Sequence, residues 1–396
     1  MRVKNRNLLF ICPSYPAVGG VETVTSILVD FFLENEYNIS ILVPNITVKS
    51  GGILDKHISL MHSMPGKPNS SENLEEINKY ISDNKIDCVF NQGVFSDSCL
   101  SINRTPKPIY INTLHSCPFW EVEKFSQSNL RQLYVSEKLI FGKFKVLVRY
   151  FLNKCKPGLS HPNIKKYYRD RIEGSDFYVV LNEHYKIVLE SVLFKGVEQK
   201  KIVVIPNPIN IPQFQEETKS KTVIYVGRLD RIQKRVDRLL RIWKSIQSEI
   251  PDWKLDIIGD GEDKNNLEKY SIESGIERIR FLGKKNATDH YPNASILCLT
   301  STYEGYPMVI SEAQSFGTIP VVFNCSPAFP DMINNHIDGI LVKNGDESSF
   351  ANELLNLIKN GSLRNEMMKN AIEKAKRLDV NAIGKTWLSL IKKEIN

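Results

Sequence analysis

The segment "STYEGYPMVISEAQSFGTIPVV", residues 301–322, follows a strand-like run, continues as a helix-like run and ends in a second strand-like run. It carries two glutamates, Glu304 and Glu312, with seven residues between them. Glu304 lies on the loop that enters the helix, which Pro307 is expected to begin, and Glu312 lies inside that helix. A strand, a helix and another strand in this order form the repeating unit of a parallel sheet.

The same alternation of short apolar runs and helical patterns continues along the whole chain. Eleven runs predict strands: "NLLFICP", "ISILVP", "DCVFNQ", "KPIYINTLH", "DFYVVLN", "KIVVIP", "TVIYVGR", "WKLDIIG", "IRFLG", "SILCLT" and "IPVVF". This pattern indicates an α/β protein with parallel sheets covered by helices. Eleven strands and 396 residues are too many for one ordinary core. We therefore predict two doubly wound, Rossmann-like domains facing an interdomain cleft.

The predicted boundary lies in "IPNPINIPQFQEETKSK", where three prolines precede a polar, charged stretch. It gives an N-terminal Rossmann-like domain at 1–205, a hinge at 206–220 and a C-terminal Rossmann-like domain at 221–378. A final helix at 379–396 is expected to pack back on the N-terminal domain. Ligands of such sheets bind beyond the carboxyl ends of the strands, so candidate site residues should follow strands.

The positive charge of the chain is concentrated in one segment. Lys and Arg number 52 and Asp and Glu 45, a formal charge of +7, and residues 131–171 alone carry eleven basic against two acidic side chains. Within this segment, "KLIFGKFKVLVRYFLNKCK" at 138–156 interleaves basic with aromatic and aliphatic residues. It could lie on an anionic membrane or receive a lipid-linked diphosphate, or it could be an amphipathic helix packed on its own domain. Nucleic acid is disfavoured because the rest of the chain is not basic.

No run of the sequence approaches the roughly 20 apolar residues that a membrane span requires. The basic start "MRVKNRNLLFICPSYP" has an apolar part too short for a secretion signal, and we interpret it as a first buried strand. The seven cysteines form no C-x-x-C pair, which favours a reducing compartment and gives no zinc site. We expect a cytoplasmic protein, with peripheral attachment to the inner face of the cytoplasmic membrane as an alternative.

Two cations follow the strand "TVIYV" in "YVGRLDRIQKRVDRLL". Arg228 comes directly after the strand and its glycine, and Lys234 is predicted at the opening of the next helix. A guanidinium and an ammonium beside a helix amino end form a site for a diphosphate, because all three favour negative charge. Arg235 and Arg238 are expected on the solvated face of that helix.

The two glutamates are spaced too widely for one bond-breaking site. Eight residues of helix rise about 12 Å, whereas carboxyl groups that act on one glycosidic bond lie about 5 to 9.5 Å apart. Each is therefore expected to contact a different part of one long ligand. Because Pro307 has no amide hydrogen, the exposed donors start at Met308 and Val309, where an anion would bind between the two carboxylates.

Two glycine-rich turns also connect a strand to a helix. Gly19 and Gly20 precede the first helix and could let the backbone approach a ligand, although a tight turn without a ligand is the simpler interpretation. Gly259 and Gly261 resemble a dinucleotide fingerprint, but Lys264 occupies the third glycine position, which argues against a nicotinamide site. Three acidic residues of this turn are expected to lie in the first turn of the following helix, where negative charge is favourable, and not to bind a metal: Asp260, Glu262 and Asp263.

Several of these motifs together resemble family 4 of the retaining nucleotide-sugar glycosyltransferases, which have the GT-B fold. They are the E-x7-E element from Glu304 to Glu312 with the preceding "LTSTYEG", and "VGRLD", "QKRVDRLL", "IPNPI", "GGVE" and "TLHS". The resemblance covers nearly the whole chain in the same order and is strongest from about residue 200 to 345. The N-terminal half, which the family uses for the acceptor, is less diagnostic.

The resemblance implies roles for individual residues in binding the sugar donor. Glu304 would contact hydroxyls of the donor sugar and Glu312 the ribose hydroxyls. Arg228 and Lys234 would hold the diphosphate. The remaining donor-site and catalytic candidates are the loop residue Gly305, the amides of Met308 and Val309, Gly19 and Gly20 near the phosphates, His115 near the transferred sugar, and Phe281 and Gly283 beside the base.

The implied reaction moves a sugar from a nucleoside diphosphate, most often UDP, to a hydroxyl of a glycan or lipid-linked saccharide, with the anomeric configuration retained. The usual setting is bacterial surface polysaccharide synthesis, such as lipopolysaccharide or capsule. The resemblance also implies no metal or other cofactor, which is consistent with the missing Asp-x-Asp signature. The alternatives are an epimerase or phosphorylase of the same fold, and a nucleotide-sugar-binding protein without catalysis, which would be expected to lose Glu304 or Arg228.

Overall fold

The computed structural model describes residues 6–15, 19–43, 58–61, 70–94, 107–119, 164–193, 201–212 and 219–393. The chain divides into two compact units. Unit 1 comprises Met1–Pro208 and Val380–Asn396, and unit 2 comprises Ile209–Asp379. From the sequence, we predicted that the N-terminal domain ends at 205 and that the C-terminal domain spans 221–378. The predicted basic segment 138–156 lies outside the described residues, as does part of the predicted hinge, 213–218.

Unit 1 contains a seven-stranded sheet in the order β3-β2-β1-β4-β5-β6-β7, and its neighbouring strands run parallel. Its strands are β1 (Asn7–Ile11), β2 (Asn38–Leu42), β3 (Ile58–Met61), β4 (Cys88–Asn91), β5 (Ile109–Leu114), β6 (Phe177–Val180) and β7 (Ile202–Val204). Its helices are α1 (Gly20–Glu34), α2 (Ser71–Asp83), α3 (Ile164–Glu173), α4 (Glu183–Leu193) and the last helix, α11 (Val380–Lys393).

The core of unit 1 is built on the central strands, which are buried on both faces. Phe10 on β1 stacks on Phe90 of β4 with ring centroids 4.5 Å apart, and Phe32 of α1 packs on both rings. The last helix completes this core, since Trp387 of α11 lies 5.4 Å from Phe90. Gly384 permits the close approach of α11 to α1, because a Cβ there would lie 2.3 Å from the ring of Phe31.

Unit 2 contains a six-stranded parallel sheet in the order β10-β9-β8-β11-β12-β13. Its strands are β8 (Thr222–Val226), β9 (Lys254–Ile258), β10 (Ile279–Gly283), β11 (Ile296–Leu299), β12 (Ile319–Asn324) and β13 (Ile340–Lys343). Its helices are α5 (Val236–Ile246), α6 (Lys264–Glu273), α7 (Met308–Ser315), α8 (Phe329–Met332), α9 (Glu347–Lys359) and α10 (Gly361–Lys376). This order corresponds to 3-2-1-4-5-6, the doubly wound Rossmann arrangement.

Both sheets confirm the predicted fold class, and all eleven predicted strands are present. The structure adds two strands that the sequence reading missed, β3 at one edge of the first sheet and β13 at one edge of the second. In each sheet the order reverses beside the first strand of that sheet, between β1 and β4 in unit 1 and between β8 and β11 in unit 2. Ligands of doubly wound sheets bind at this reversal, beyond the carboxyl ends of the strands.

Candidate functional site

The two loops at the reversal point of unit 2 carry Arg228 and Glu304. Arg228 lies two residues beyond the end of β8, and Glu304 lies five residues beyond the end of β11. Because β8 and β11 are paired neighbours in the sheet, their loops leave the same edge side by side. The residues that the sequence predicted in separate motifs are thereby brought to one place in unit 2.

Asp230 organises the loop that presents the two cations. Its Oδ1 accepts hydrogen bonds from the backbone amides of Ile232 at 3.1 Å, Gln233 at 2.6 Å and Lys234 at 3.3 Å. Burial alone would raise the pKa of Asp230, but the amides of Gln233 and Lys234 and the Arg228 guanidinium lower it overall. The loop ends at Arg235, which has a positive φ of 48° and immediately precedes α5. Lys234 therefore lies before α5, two residues earlier than its first helical residue.

The Arg228 side chain reaches outward from this loop. Its Nε donates to Asp230 Oδ2 at 2.9 Å and its Nη2 donates to Gln233 Oε1 at 3.1 Å, while 64% of the side chain is exposed. The hydrogen bond to Asp230 raises the pKa of the guanidinium. The charge is thus fixed in position and still open to a ligand.

Glu304 lies deeper in the same network and is almost wholly buried. Its Oε1 accepts from Lys234 Nζ at 2.6 Å and from Ser301 Oγ at 2.6 Å, and its Oε2 accepts from Gln233 Nε2 at 3.4 Å. The side chain of Glu304 is 5% exposed and that of Lys234 is 18% exposed. Gln233 bonds to both Arg228 and Glu304, so four side chains form one connected cluster. We call it the cation cluster: Arg228, Gln233, Lys234 and Glu304.

Helix α7 begins next to Glu304 in the sequence. Pro307 occupies the N-cap position with an extended backbone and provides no capping side chain. The first amides of the helix, at Met308 and Val309, have no acceptor within the helix. Gly305 in the preceding loop is held through its carbonyl, which accepts from Ser326 Oγ at 2.9 Å. The predicted uncapped helix end is therefore present, and the helix starts one residue after Pro307.

Glu312 lies one turn further along α7 and has a different partner. Its Oε2 accepts a hydrogen bond from the hydroxyl of the fully buried Tyr291 at 3.2 Å. Burial raises the pKa of Glu312, and the Tyr291 hydroxyl offsets part of this rise. The two glutamates of the E-x7-E element thus occupy distinct environments, one in the cation cluster and one beside a tyrosine.

The glycine-rich turn after β9 supports the Arg228 loop. A Cβ at Gly259 would lie 1.8 Å from the carbonyl oxygen of Gly227, and one at Gly261 would lie 2.3 Å from that of Leu229. The two loops are also joined by hydrogen bonds from the Leu229 amide to Asp260 O and from the Asp263 amide to Leu229 O. These two glycines are required for the close packing of two backbones, which accounts for their resemblance to a dinucleotide fingerprint.

Two further expectations about unit 2 need correction. The acids of this turn precede α6, which begins at Lys264, so they lie outside its first turn. Arg238 is not on a solvated face: its guanidinium lies 5.5 Å from the centroid of the Phe323 ring and donates to the Thr300 carbonyl. Arg235 is also largely covered and bonded to Asp237, with 20% of its side chain exposed. Arg238 thus lies against β12 and the loop after β11, and Arg235 is held by Asp237 of the helix that it precedes.

Phe281 and Gly283 lie on β10, the edge strand of the unit 2 sheet, and both are half-buried. The carbonyl of Gly283 accepts from the Gly259 amide at 2.8 Å, which connects this strand end to the glycine-rich turn. The predicted base-contacting residues are thus in the same unit as the cation cluster, on the far side of the turn that supports Arg228.

The remaining predicted residues belong to unit 1. Gly19 and Gly20 stand at the start of α1, where the carboxylate of Glu22 lies over Gly19 and accepts from Ser14 Oγ at 2.8 Å. His115 follows β5, and its Nε2 lies 2.5 Å from Gln92 Oε1. Burial lowers the pKa of His115 to about 4, and the nearby Asn207 side chain offsets part of this effect. His115 is therefore a neutral imidazole near pH 7.

Sequence reasoning missed several partners of the predicted residues. They are polar side chains without a motif of their own: Asp230, Gln233, Ser301, Tyr291, Gln92 and Glu22. One signal was available, because an aspartate directly before a turn that leads into a helix commonly accepts from the following backbone amides. In the described ranges, no group of three or more metal-ligating side chains is present. No helix in those ranges is long and apolar enough to cross a bilayer.

Solved structures share this architecture at low sequence identity. HepE from Anabaena, in complex with UDP-glucose, superposes with a TM-score of 0.70 at 16% identity, covering 98% of this chain and 99% of that one. With the two Rossmann-like sheets, this likeness shows the two-domain α/β fold called GT-B, as the sequence predicted. At such identity the likeness concerns the fold alone.

Within that fold, residues 207–374 match the family described as Glycosyl transferases group 1. The lipopolysaccharide 1,6-galactosyltransferase of Salmonella typhimurium is 31% identical over 204 residues, which are 49% of this chain and 55% of that protein. The Campylobacter jejuni α-1,4-N-acetyl-D-galactosaminyltransferase that acts on an undecaprenol-linked saccharide is 30% identical over 200 residues, 48% and 55% of the two chains. The matches span 55% to 63% of the lengths of the first curated relatives.

Proposed function

We propose that this protein is a glycosyltransferase that moves a sugar from a nucleoside diphosphate, preferably UDP, to a hydroxyl of a glycan or lipid-linked saccharide. The observation that carries the proposal is the cation cluster of unit 2, in which Arg228 and Lys234 follow one strand and Glu304 leads into the uncapped amino end of α7. The two relatives named above are a lipopolysaccharide galactosyltransferase and a transferase that acts on an undecaprenol-linked saccharide, which supports a role in building a bacterial surface polysaccharide.

A diphosphate fits the charges of the cluster. The Arg228 guanidinium is exposed on one side and anchored on the other, so it can bond a phosphate without first losing its position. The amides at Met308 and Val309 add neutral donors along the dipole of α7. In the structure Lys234 bonds to Glu304. We infer that a diphosphate draws Lys234 toward itself and leaves the Glu304 carboxylate to accept from sugar hydroxyls.

The same charges act on the reaction. When the bond between the anomeric carbon and the leaving oxygen breaks, its electron pair stays on the diphosphate. Cations and amides already directed at that group stabilise the developing charge without reorganisation. We propose that the acceptor hydroxyl attacks from the face that the diphosphate leaves, and that its proton passes to a phosphate oxygen. This course retains the anomeric configuration and needs neither a protein nucleophile nor a metal ion.

The other predicted residues complete the proposal. Glu312, beside Tyr291, would accept hydrogen bonds from the ribose hydroxyls, and Phe281 and Gly283 would border the base. His115 would contact the transferred sugar, and Gly19 and Gly20 the donor phosphates. We also propose a cytoplasmic location, with segment 138–156 as the part of the chain that would touch an anionic membrane.

The decisive experiment incubates the protein with UDP-, GDP- and ADP-sugars, with and without a membrane extract that contains saccharide acceptors, and measures free nucleoside diphosphate. Transfer predicts release that requires the extract and disappears in Glu304→Ala. The matched control is Glu249→Ala, which removes an exposed glutamate of the same unit paired with Lys359 and should leave the release unchanged. Binding without release would contradict transfer and favour a binding protein, and a new nucleotide sugar formed without acceptor would favour an epimerase.

A further inference from the structure

The turn from the loop after β8 into helix α5 passes through a left-handed residue that is not glycine. Arg235 has a φ of 48° and a ψ of 48°. This region is sterically unfavourable for residues with a Cβ atom, whereas glycine adopts it freely. Such a conformation persists where the surrounding structure enforces it, and it is concentrated at functional sites. Arg235 directly follows Lys234 of the cation cluster, so its backbone angles decide where Lys234 lies relative to α5.

Hydrogen bonds hold the backbone of Arg235 on both sides. Its amide donates to the carbonyl of Asp230 at 3.1 Å, which closes the loop that carries the two cations. Its carbonyl accepts from the hydroxyl of Thr300 at 3.0 Å, and Thr300 directly follows β11. Arg235 therefore connects the two loops that supply the cation cluster, the one after β8 and the one after β11.

The Arg235 side chain provides a second restraint. Its Nε donates to Asp237 Oδ1 and its Nη2 donates to Asp237 Oδ2, both at 2.8 Å, so the planar guanidinium is held at two points. Asp237 also accepts from Arg241 Nη1 at 2.9 Å, and Arg241 bonds to both carboxylate oxygens of Glu347, the first residue of α9. Burial alone would raise the pKa of Asp237, but the two arginines lower it overall. The carboxylate that anchors Arg235 is therefore ionised at neutral pH and connected to a second helix.

The left-handed conformation of Arg235 determines the position of the Lys234 side chain. In the structure the Lys234 ammonium lies 2.6 Å from Glu304 Oε1. If Arg235 adopted the right-handed angles of α5, the helix would continue backwards by one residue and carry Lys234 onto the helical path. Lys234 would then leave its present position beside Glu304. Glycine at this position would keep the left-handed angles accessible, whereas alanine would favour the right-handed ones.

We propose that Arg235 is a positioning residue for Lys234. Its left-handed backbone holds the Lys234 ammonium on Glu304, and its two bonds to Asp237 offset the steric cost of that conformation. The consequence for a diphosphate rests on the proposed function, because Lys234 is one of the two cations assigned to that group. The link between Arg235 and the ion pair of Lys234 with Glu304 rests on the geometry of unit 2 and does not depend on the proposed function.

The first test measures how far Lys234→Met lowers the Tm of the full chain in three backgrounds. In the wild-type background, the substitution removes the ion pair with Glu304. In Arg235→Ala this pair should already be weakened, so the further fall in Tm should be less than about half as large. Arg235→Gly keeps the left-handed angles accessible and should preserve most of the fall. The proposal is overturned if the fall in Arg235→Ala equals that in the wild type, or if the alanine and glycine variants reduce it equally.

Arg278→Ala is the matched control for the alanine variant. Arg278 belongs to the same unit and also has a positive φ, 56°, and its side chain bonds to Glu277 and to the carbonyl of Trp253. It precedes the amino end of β10, whereas the cation cluster follows the carboxyl ends of β8 and β11. Arg278→Ala should lower the Tm but leave the fall caused by Lys234→Met unchanged. A reduced fall in this control would contradict a role specific to Arg235.

Calorimetric titration with UDP measures the consequence for binding. Arg235→Ala should bind UDP about three- to ten-fold more weakly, a part of the effect of one hydrogen bond from a charged group, because the ammonium is displaced but still present. Arg235→Gly should bind UDP nearly as the wild type does, and Arg235→Ala should have no further effect in the Lys234→Met background. An undiminished loss of affinity in that background would overturn the proposal. Absence of UDP binding by the wild type would contradict the proposed function, while the Tm measurements would still decide the role of Arg235.

Discussion

Replacing Lys234 with methionine removes the ammonium that bonds to Glu304 and keeps most of the apolar stem. Breaking a fully buried ion pair by removing one partner typically costs about 3 to 5 kcal/mol. Here Lys234 is 18% exposed, and Glu304 keeps its bond from Ser301, so we expect a smaller loss of about 2 kcal/mol in the free energy of unfolding. For a unit of the size of Ile209–Asp379, that corresponds to a fall in Tm of roughly 4 to 8 °C.

The double variant separates the ion pair from other effects of the mutation. Lys234→Met with Glu304→Gln no longer buries an uncompensated carboxylate, so its loss of stability should be smaller than the sum of the two single losses by about 1 kcal/mol or more. Urea denaturation of all four proteins gives the coupling energy. If the single effects add within about 0.5 kcal/mol, the two side chains do not interact in solution, and the account of the Lys234–Glu304 ion pair is wrong.

Two further predictions concern backbone packing and pH. Gly259→Ala should destabilise the protein by more than 2 kcal/mol, since its Cβ would overlap the Gly227 carbonyl. The control Gly345→Ala is also at positive φ but has open space around it, so it should cost only about 1 kcal/mol. Equal losses of stability in thermal melts would contradict the packing argument. The pKa of His115 falls from 6.5 to about 4 on folding, so its contribution to stability is present above pH 6.5 and is lost as the pH falls toward 4, by at most about 3 kcal/mol. His115→Gln should therefore flatten the decrease in unfolding free energy between pH 7 and 5, and an unchanged slope would show that His115 titrates normally.

The sequence predicted the fold well because each central strand is a short apolar run buried on both faces. Strands β3 and β13 were missed; each has four residues and lies at a sheet edge, but the three-residue edge strand β7 was predicted, so length and edge position do not account for the omission. The last helix, predicted at 379–396, is present as α11 at Val380–Lys393.

The candidate site was only partly predictable, for a physical reason. Arg228, Lys234 and Glu304 could be recognised because each occupies a position where ligands bind in doubly wound sheets. Their mutual contacts could not, since Lys234 and Glu304 are 70 residues apart in sequence. Gln233 was also missed, because a glutamine that bridges two charged residues leaves no periodic or motif signal.

The central claim is that the cluster around Arg228 binds the diphosphate of a nucleotide. Calorimetric titration with UDP tests it most directly in Arg228→Ala and in a matched control, Arg280→Ala. Both arginines are largely exposed and bonded to a buried aspartate, with side-chain exposures of 64% and 52% and partners Asp230 and Asp256. We predict at least about ten-fold weaker binding in Arg228→Ala, the loss of a charge-assisted hydrogen bond, and wild-type affinity in Arg280→Ala. Equal affinities in the two variants would contradict the account.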